Sequence, residues 1–201
     1  MKQFGEGKKI NETSKTIILA YSAMGIALNV VLGTVVSWMK IPLLFLDTIG
    51  TVLISVLFGP WWGVLTGGLT NVVLGTTTGA SAIFFGLVNI AIALVVGFMA
   101  RKFDFTKWYV AISAGILVSI IAPLIGTPIA IAVYGGLNGS GMDLIVLWLR
   151  ASGESVFAST FISRITGNFI DKIITCMLVM FLIVRLPGFT KIMNKGRNHA
   201  A

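Results

Sequence analysis

The residues best suited to bind a small polar molecule in this chain are charged and amide side chains inside otherwise apolar stretches. Six of them interrupt such stretches: Asp47, Asn89, Arg164, Asn168, Asp171 and Lys172. Positions 164, 168 and 171 have the i, i+4, i+7 spacing that places side chains on one face of a helix. An ionisable group inside a bilayer costs about 3 kcal/mol or more unless it is paired or hydrated. We therefore expect these groups to face one another or a cavity that opens to water.

Five more side chains are predicted at the same level of the membrane and join the candidate substrate-binding set: Trp38, Tyr134, Trp148, Arg150 and Glu154. Aromatic rings at this level stack on ring-shaped ligands, but they also form membrane-interface belts. The charged residues have an alternative role as well, which is to pair with one another and hold the helices together. For the cluster as a whole we favour a ligand cavity, because intramembrane charges are commonly functional.

The composition is that of a membrane protein. Hydrophobic residues make up 56% of the chain and charged residues 11%, and the mean hydropathy is +0.96. The apolar residues form long uncharged runs, as expected of helices that cross a bilayer core about 30 Å thick with about 20 residues each. The formal net charge of +8 fits basic residues that anchor topology at the ends of apolar spans. We therefore do not expect nucleic acid as a partner.

Six apolar segments predict an all-α membrane protein with six transmembrane helices. They are residues 16–38, 43–59, 61–79, 80–100, 108–134 and 163–186. Pro60, the threonine run at 76–78 and the glycine-rich stretch 135–141 supply breaks between them. Residues 142–161 mix charged and apolar side chains. This segment predicts an extra re-entrant or interfacial helix on the outer side, or else part of a long, tilted sixth span.

Basic residues predict the orientation of the chain. With the N-terminus inside the cell, Lys and Arg gather in the cytoplasmic segments, and only Lys40, Arg150, Arg164 and Lys172 fall elsewhere. This is the bias of short cytoplasmic loops. We therefore predict a multi-pass protein of the cell membrane with both termini cytoplasmic. Its parts would be an N-terminal segment (1–15), a six-helix membrane domain (16–186) and a basic tail (187–201).

The sequence lacks the residues that several kinds of chemistry require. The sequence has no phosphate-binding loop ending in Gly-Lys-Ser/Thr and no HExxH motif. The single histidine, His199, lies in the tail, and the single cysteine, Cys176, lies in an apolar run. A serine nucleophile would have no histidine base within the membrane region. We therefore expect no enzyme activity, no cofactor and no metal site.

Small residues predict close contacts between helices. A stripe repeats at every fourth position through the third span: Gly59, Gly63, Gly67, Asn71, Gly75 and Gly79. Such stripes let another helix approach closely. Asn71 either bonds a neighbouring helix or lines the pocket. In the first span, Ala20, Ala23 and Ala27 form a shorter patch, which either packs inside this chain or receives another subunit.

Short motifs add a family resemblance. They are the step from Ala23 to Ala27, Leu-Asp-Thr-Ile-Gly-Thr at 46–51, Phe-Gly-Pro at 58–60 and Asn-Phe-Ile-Asp-Lys-Ile at 168–173. Together with six predicted spans in 201 residues, this pattern resembles the S component of an energy-coupling factor (ECF) transporter, its substrate-binding membrane subunit. The resemblance covers nearly the whole chain.

The resemblance implies that the chain captures a water-soluble vitamin or precursor outside the cell and does not transport it alone. It implies a transmembrane T subunit and two ATPase subunits as partners, which associate through Ala23 and Ala27. In this family the loop between the first two spans, here 37–46, acts as a lid. The pocket lies between that lid, the next outer loop, here 77–81, and spans four to six.

The substrate class follows from the charges and rings of the predicted cluster. Three basic and three acidic residues leave it near neutral, so it does not call for a polyanion. A small aromatic ring with hydroxyl groups, such as pyridoxine or a hydroxymethylpyrimidine, suits ring stacking and hydrogen bonds to Asp and Asn. Pantothenate is the alternative, because Arg or Lys would bind its carboxylate. A different class of function is a self-sufficient secondary transporter driven by an ion gradient through Asp47 and Asp171.

Overall fold

A computed structural model of the chain describes residues 3–137 and 139–198, with side chains for 15–137, 139–186 and 188–193. Within these ranges the chain is helical and has no strand, which confirms the all-α prediction. The helices are α1 (Gln3–Met39), α2 (Ile49–Phe58), α3 (Pro60–Thr77), α4 (Gly86–Lys102), α5 (Trp108–Tyr134), α6 (Asp143–Ala151), α7 (Val156–Arg185) and α8 (Pro187–Asn198). A short 3-10 helix, Ala80–Phe85, precedes α4. His199, the single histidine, lies outside the described residues.

Four stretches of the described chain are long and apolar enough to cross a membrane: Lys15–Met39, Ala80–Lys102, Trp108–Tyr134 and Val156–Arg185. They confirm a multi-pass α-helical membrane protein. α2 and α3 correspond to the second and third predicted spans, and they are shorter, with 10 and 18 residues. The total of six spans therefore stays a prediction, as does the cytoplasmic location of both termini.

The α1–α2 loop, residues 40–48, replaces the beginning of the second predicted span. α2 begins at Ile49 rather than at Leu43. Within the loop, Lys40, Leu43 and Leu46 have positive φ angles of 50°, 66° and 51°. A left-handed backbone costs an L-residue roughly 1 to 2 kcal/mol, so other contacts must hold this conformation. Hydropathy gives no sign that residues 43–46 belong to a loop, because these four side chains are as apolar as those of a span.

The segment 142–161 consists of two elements rather than one. α6 ends at Ala151, and the break that follows contains Gly153 with a φ of +95°. α7 then begins at Val156, where the Ser155 side chain accepts a hydrogen bond from the Ala158 amide at 3.1 Å. A serine in this position stabilises a helix start. The segment therefore supplies both a separate short helix and the first turns of a long last span, which begins before Ser163.

Glycines set the distance between the packed helices. α5 and α7 form the most extensive pair, and a Cβ on Gly115 of α5 would lie 2.7 Å from the Ile173 Cα of α7. On α3, a Cβ on Gly67 would lie 3.1 Å from the Cβ of Asn89 on α4. The missing side chains let these backbones approach closely. The close packing predicted for the glycine stripe of α3 is confirmed.

The C-terminal helix closes the end of the bundle opposite the α1–α2 loop. Met193 of α8 is buried in the main apolar core, and the Phe189 ring lies 5.9 Å from the Tyr21 ring of α1. Nearby, the Arg101 guanidinium donates to the Phe58 carbonyl at 2.9 Å. That carbonyl ends α2 and has no partner within its own helix. The predicted tail is therefore helical as far as Asn198 and packs on the membrane domain.

A buried amide joins the first three helices. Asn29 of α1 is fully buried, and its Nδ2 donates to Thr51 Oγ1 of α2 at 2.9 Å and to Thr70 Oγ1 of α3 at 3.0 Å. Its Oδ1 accepts from the Gly50 amide at 2.7 Å. Gly50 lies in the first turn of α2, where backbone N–H groups lack partners within the helix. Asn29 therefore caps α2 from a neighbouring helix while it also binds α3.

Candidate functional site

A cavity of about 350 Å³ lies at the end of the bundle that carries the α1–α2 loop. Its lining comes from the end of α1, the loop itself, α3, the 3-10 helix, α4, α5, the connection before α6, and α7. Pockets for small ligands commonly have volumes of about 300 to 1,000 Å³. The cavity is therefore large enough for one small molecule, and α1, α3, α4, α5 and α7 all contribute to its shape.

Two asparagines on adjacent helices form one polar side of the cavity. Asn89 Nδ2 of α4 donates to Asn71 Oδ1 of α3 at 2.5 Å, and Asn71 Nδ2 donates to the Ala82 carbonyl at 2.9 Å. Both interpretations of Asn71 thus hold, because it bonds a neighbouring helix and also lines the cavity. Asn89 Oδ1 is buried without a hydrogen-bond partner among the described residues. A shielded acceptor costs roughly 1 to 3 kcal/mol when unpaired, so a ligand N–H or O–H would be stabilised there.

An aromatic wall, Phe85 and Tyr134, borders the cavity beside these amides. The two rings are stacked, with centroids 6.1 Å apart and an interplanar angle of 22°. The Tyr134 hydroxyl is 2.6 Å from Ser81 Oγ, and the Arg164 guanidinium lies 5.2 Å from the centroid of the Phe85 ring. These contacts fix the orientation of both rings. The wall offers an apolar surface of the kind that binds a flat ring.

The charged groups on one side of the cavity are paired with one another. Lys172 Nζ donates to Asp171 Oδ2 at 2.6 Å, to Thr48 Oγ1 at 2.9 Å and to Asp47 Oδ1 at 3.3 Å. A lysine ammonium has three protons, and all three are used here. The lysine charge is thereby paired inside the membrane domain with two carboxylates. In the part of the chain that the structure describes, no three His, Cys, Asp or Glu side chains form a metal-binding group.

The α1–α2 loop is anchored to α7 beside these charges. Asp171 Oδ1 accepts from the Phe45 amide at 2.8 Å and from the Leu46 amide at 2.9 Å. A second anchor runs through Met142, whose Sδ accepts from the Leu43 amide at 3.2 Å and whose carbonyl accepts from Ser163 Oγ at 3.0 Å. The loop that forms one wall of the cavity therefore depends on α7 for its position.

The structure brings six of the predicted site residues to the cavity: Asp47, Asn89, Tyr134, Arg164, Asn168 and Lys172. The others lie elsewhere. Asp171 is buried behind the loop and is not part of the lining. Trp38 and Trp148 are 81% and 69% exposed and also lie outside the lining. Glu154 is exposed, and Arg150 donates to a backbone carbonyl of the α5–α6 connection at 2.7 Å.

Among the lining residues outside the predicted site set, three bear directly on ligand contact: Phe45, Ser81 and Phe85. A signal for two of them exists in the sequence, because positions 81, 85 and 89 are each four residues apart, as on one helical face. Asn89 was predicted, so Phe85 and Ser81 follow from it by spacing. Phe45 lies in the 37–46 lid that the family resemblance implied, but residue spacing gives no signal for it, since its position depends on the left-handed backbone of the loop.

The alanine patch of α1 lies on the surface of the chain. Ala20, Ala23 and Ala27 are all exposed, so the patch does not pack inside the described protein. Larger residues on the same helix, including Met24 and Val31, are also exposed, at 66% and 58%. This part of α1 therefore faces lipid or another subunit.

Comparison with known proteins gives one family. Residues 18–183 match the family model described as ECF transporter, substrate-specific component. No curated protein and no solved structure gives a significant match. The matched range contains every residue that lines the cavity, together with the alanine patch of α1. Members of this family are subunits of membrane transporters rather than enzymes. The protein therefore belongs to the substrate-specific components of ECF transporters.

Proposed function

We propose that the cavity binds one water-soluble vitamin or vitamin precursor outside the cell, for ATP-driven uptake by a T subunit and two ATPase subunits. The observation that carries this proposal is the cavity lining. It combines a fixed aromatic wall with the unpartnered Asn89 Oδ1 and with charged side chains that are already paired within the protein. Such a lining suits a small ring with hydrogen-bond donors and little net charge.

The charge arrangement favours pyridoxine or a hydroxymethylpyrimidine over pantothenate. Lys172 has its three protons bound within the protein. The Arg164 guanidinium has the Asp47 and Asp143 carboxylates as charged neighbours. A carboxylate ligand would have to compete with these acidic groups for Arg164. Mass spectrometry of the mildly extracted protein should therefore detect a co-purifying single-ring compound without a carboxylate. Co-purified pantothenate would contradict this substrate assignment.

Replacing Phe85 with alanine is expected to raise the dissociation constant for the co-purifying compound about tenfold, because ring stacking and its buried area are lost. The matched control is Phe84→Ala, since Phe84 is 57% exposed and does not line the cavity. Isothermal titration with pyridoxine and with hydroxymethylpyrimidine measures both variants. Equal affinities for the two variants would mean that the aromatic wall does not contact the ligand.

The dependence on partners separates this proposal from a secondary transporter driven by an ion gradient. The purified chain alone, reconstituted in liposomes, should bind the compound but should not accumulate it when a proton or sodium gradient is applied. Addition of the T and ATPase subunits with ATP should start accumulation. Gradient-driven accumulation by the chain alone would contradict the proposed function and support the ion-coupled alternative.

The proposed orientation places residues 1–15 and 187–201 in the cytoplasm, on either side of a six-span membrane domain. It is supported by the basic residues of these segments and by an even number of spans. In this orientation the cavity opens to the outside, where the vitamin is captured. Protease accessibility of terminal tags in intact cells tests this arrangement, and cleavage of either tag from outside would contradict it.

A further inference from the structure

We infer that Asp171 is a positioning residue that holds the α1–α2 loop over the cavity, and that it does not itself contact the ligand. The inference extends the proposed function, since it assigns a role within the same site. It departs from the expectation that Asp171 binds substrate. It rests on the contacts that the Asp171 side chain makes within the protein itself.

First, both oxygens of the Asp171 carboxylate already accept hydrogen bonds within the protein. Its Oδ1 accepts both the Phe45 and Leu46 amides, at 2.8 and 2.9 Å, and its Oδ2 accepts from Lys172 Nζ at 2.6 Å. The residue is fully buried and absent from the cavity lining. Both oxygens are therefore engaged within the protein, on the side of the loop that faces away from the ligand space.

The second step is the need of the loop for this anchor. Leu43 and Leu46 have positive φ angles, a backbone conformation that L-residues rarely adopt unless surrounding contacts impose it. Loop residues Leu44, Phe45 and Asp47 line the cavity. Two successive backbone N–H groups that converge on one carboxylate oxygen form strong, charge-assisted hydrogen bonds. Asp171 therefore fixes this wall of the cavity by binding the backbone of the loop rather than the loop side chains.

The third step is the role of Lys172. A lone carboxylate buried among helices would be strongly disfavoured, and Lys172 compensates its charge. The same ammonium also donates to Thr48 and Asp47, at the α2 end of the loop. The adjacent residues Asp171 and Lys172 therefore hold the loop at two places. Asp171 binds residues 45 and 46, and Lys172 binds residues 47 and 48.

Hydrogen exchange of the purified full chain in detergent, without ligand, tests the inference. In Asp171→Ala the Phe45 and Leu46 amides should exchange about tenfold faster or more, because each loses a hydrogen bond to a charged acceptor. Amides in the middle of α5 should keep their rates. The matched control is Thr175→Val, one turn further along α7, where the buried Thr175 Oγ1 has no hydrogen-bond partner among the described residues.

A conservative variant covers the case in which Asp171→Ala does not fold. Asp171→Asn keeps an acceptor oxygen but loses the charge, so it should accelerate exchange at the same two amides by a smaller factor. A second readout is the rate at which N-ethylmaleimide labels Leu44→Cys in a Cys176→Ser background, which should rise with Asp171→Asn and stay constant with Thr175→Val.

Two results would overturn the inference. One is unchanged exchange at Phe45 and Leu46 in the Asp171 variants. The other is an equal acceleration in α5, which would mean that Asp171 stabilises the whole bundle rather than the loop. Because these measurements use no vitamin, they can fail while the proposed function holds, and the reverse is also true.

Discussion

Uptake should be abolished, and ligand binding preserved, when Ala23 and Ala27 are both replaced with tryptophan. The two alanines are exposed on α1 and lie outside the cavity lining, so the substitution leaves the binding site intact. Small residues at this spacing let another helix approach to backbone contact, and two indole rings would prevent that approach. Uptake is measured in cells that also produce the T and ATPase subunits. Binding is measured on the purified chain.

The control for this variant adds the same bulk elsewhere. Ile116 and Ile120 of α5 are 37% and 43% exposed and have the same four-residue spacing. Tryptophan at both of these positions should leave uptake unchanged, and the T subunit should still co-purify with the chain. If the α5 variant also loses uptake, added bulk at any lipid-facing surface is sufficient and the alanine patch is not an interface. If the α1 variant loses ligand binding, the patch supports the fold of the chain itself.

The variant Asn29→Leu is expected to lower the free energy of unfolding by about 2 to 3 kcal/mol. In the native chain, the Asn29 side chain makes hydrogen bonds to Thr51, Thr70 and the Gly50 amide, all within the fully buried contact of three helices. Leucine keeps the volume but removes the hydrogen bonds that Asn29 makes to these three groups. Because no water reaches them, the loss is not compensated by solvent. Thermal unfolding in detergent, followed by circular dichroism, measures the change.

Ser22→Ala provides the matched comparison for Asn29→Leu. Ser22 is also buried on α1, two turns before Asn29, and its Oγ has no hydrogen-bond partner among the described residues. Its removal should change the free energy of unfolding by less than about 0.5 kcal/mol. Equal unfolding temperatures for the two variants would show that the Asn29 hydrogen bonds add nothing to the packing of α1.

Long apolar helices were predictable because hydropathy reports them directly. α5 has the predicted bounds, Trp108 to Tyr134, despite its two prolines. The family resemblance implied a loop at 37–46, but hydropathy did not predict the extent of the α1–α2 loop, because Leu43, Leu44 and Phe45 continue the apolar run. The break before α7 contains Gly153 and Ser155, but hydropathy predicted that the last span begins at residue 163 rather than at Val156.

The candidate site was predictable for polar residues and less so for aromatic ones. Asn89, Asn168 and Lys172 line the cavity because a buried polar group needs a polar surrounding wherever its helix lies. Trp38 and Trp148 point outward instead, and Phe85 takes the place beside the ligand space. An aromatic residue is stable against lipid and against a ligand alike, so its type does not reveal which face of the helix it occupies. Asn29 shows the reverse case, a buried polar group that serves the fold alone.

The ten-residue length of α2 bears on how deep in the membrane a ligand in the cavity would lie. At 1.5 Å per residue this helix rises only about 15 Å, which is half of a hydrocarbon core about 30 Å thick. We therefore expect the α1–α2 loop and the cavity beneath it to lie within the membrane rather than at its surface. Under the proposed function, a captured vitamin would leave bulk water before any ATP is used, and its remaining path to the cytoplasm would be the lower half of the bilayer.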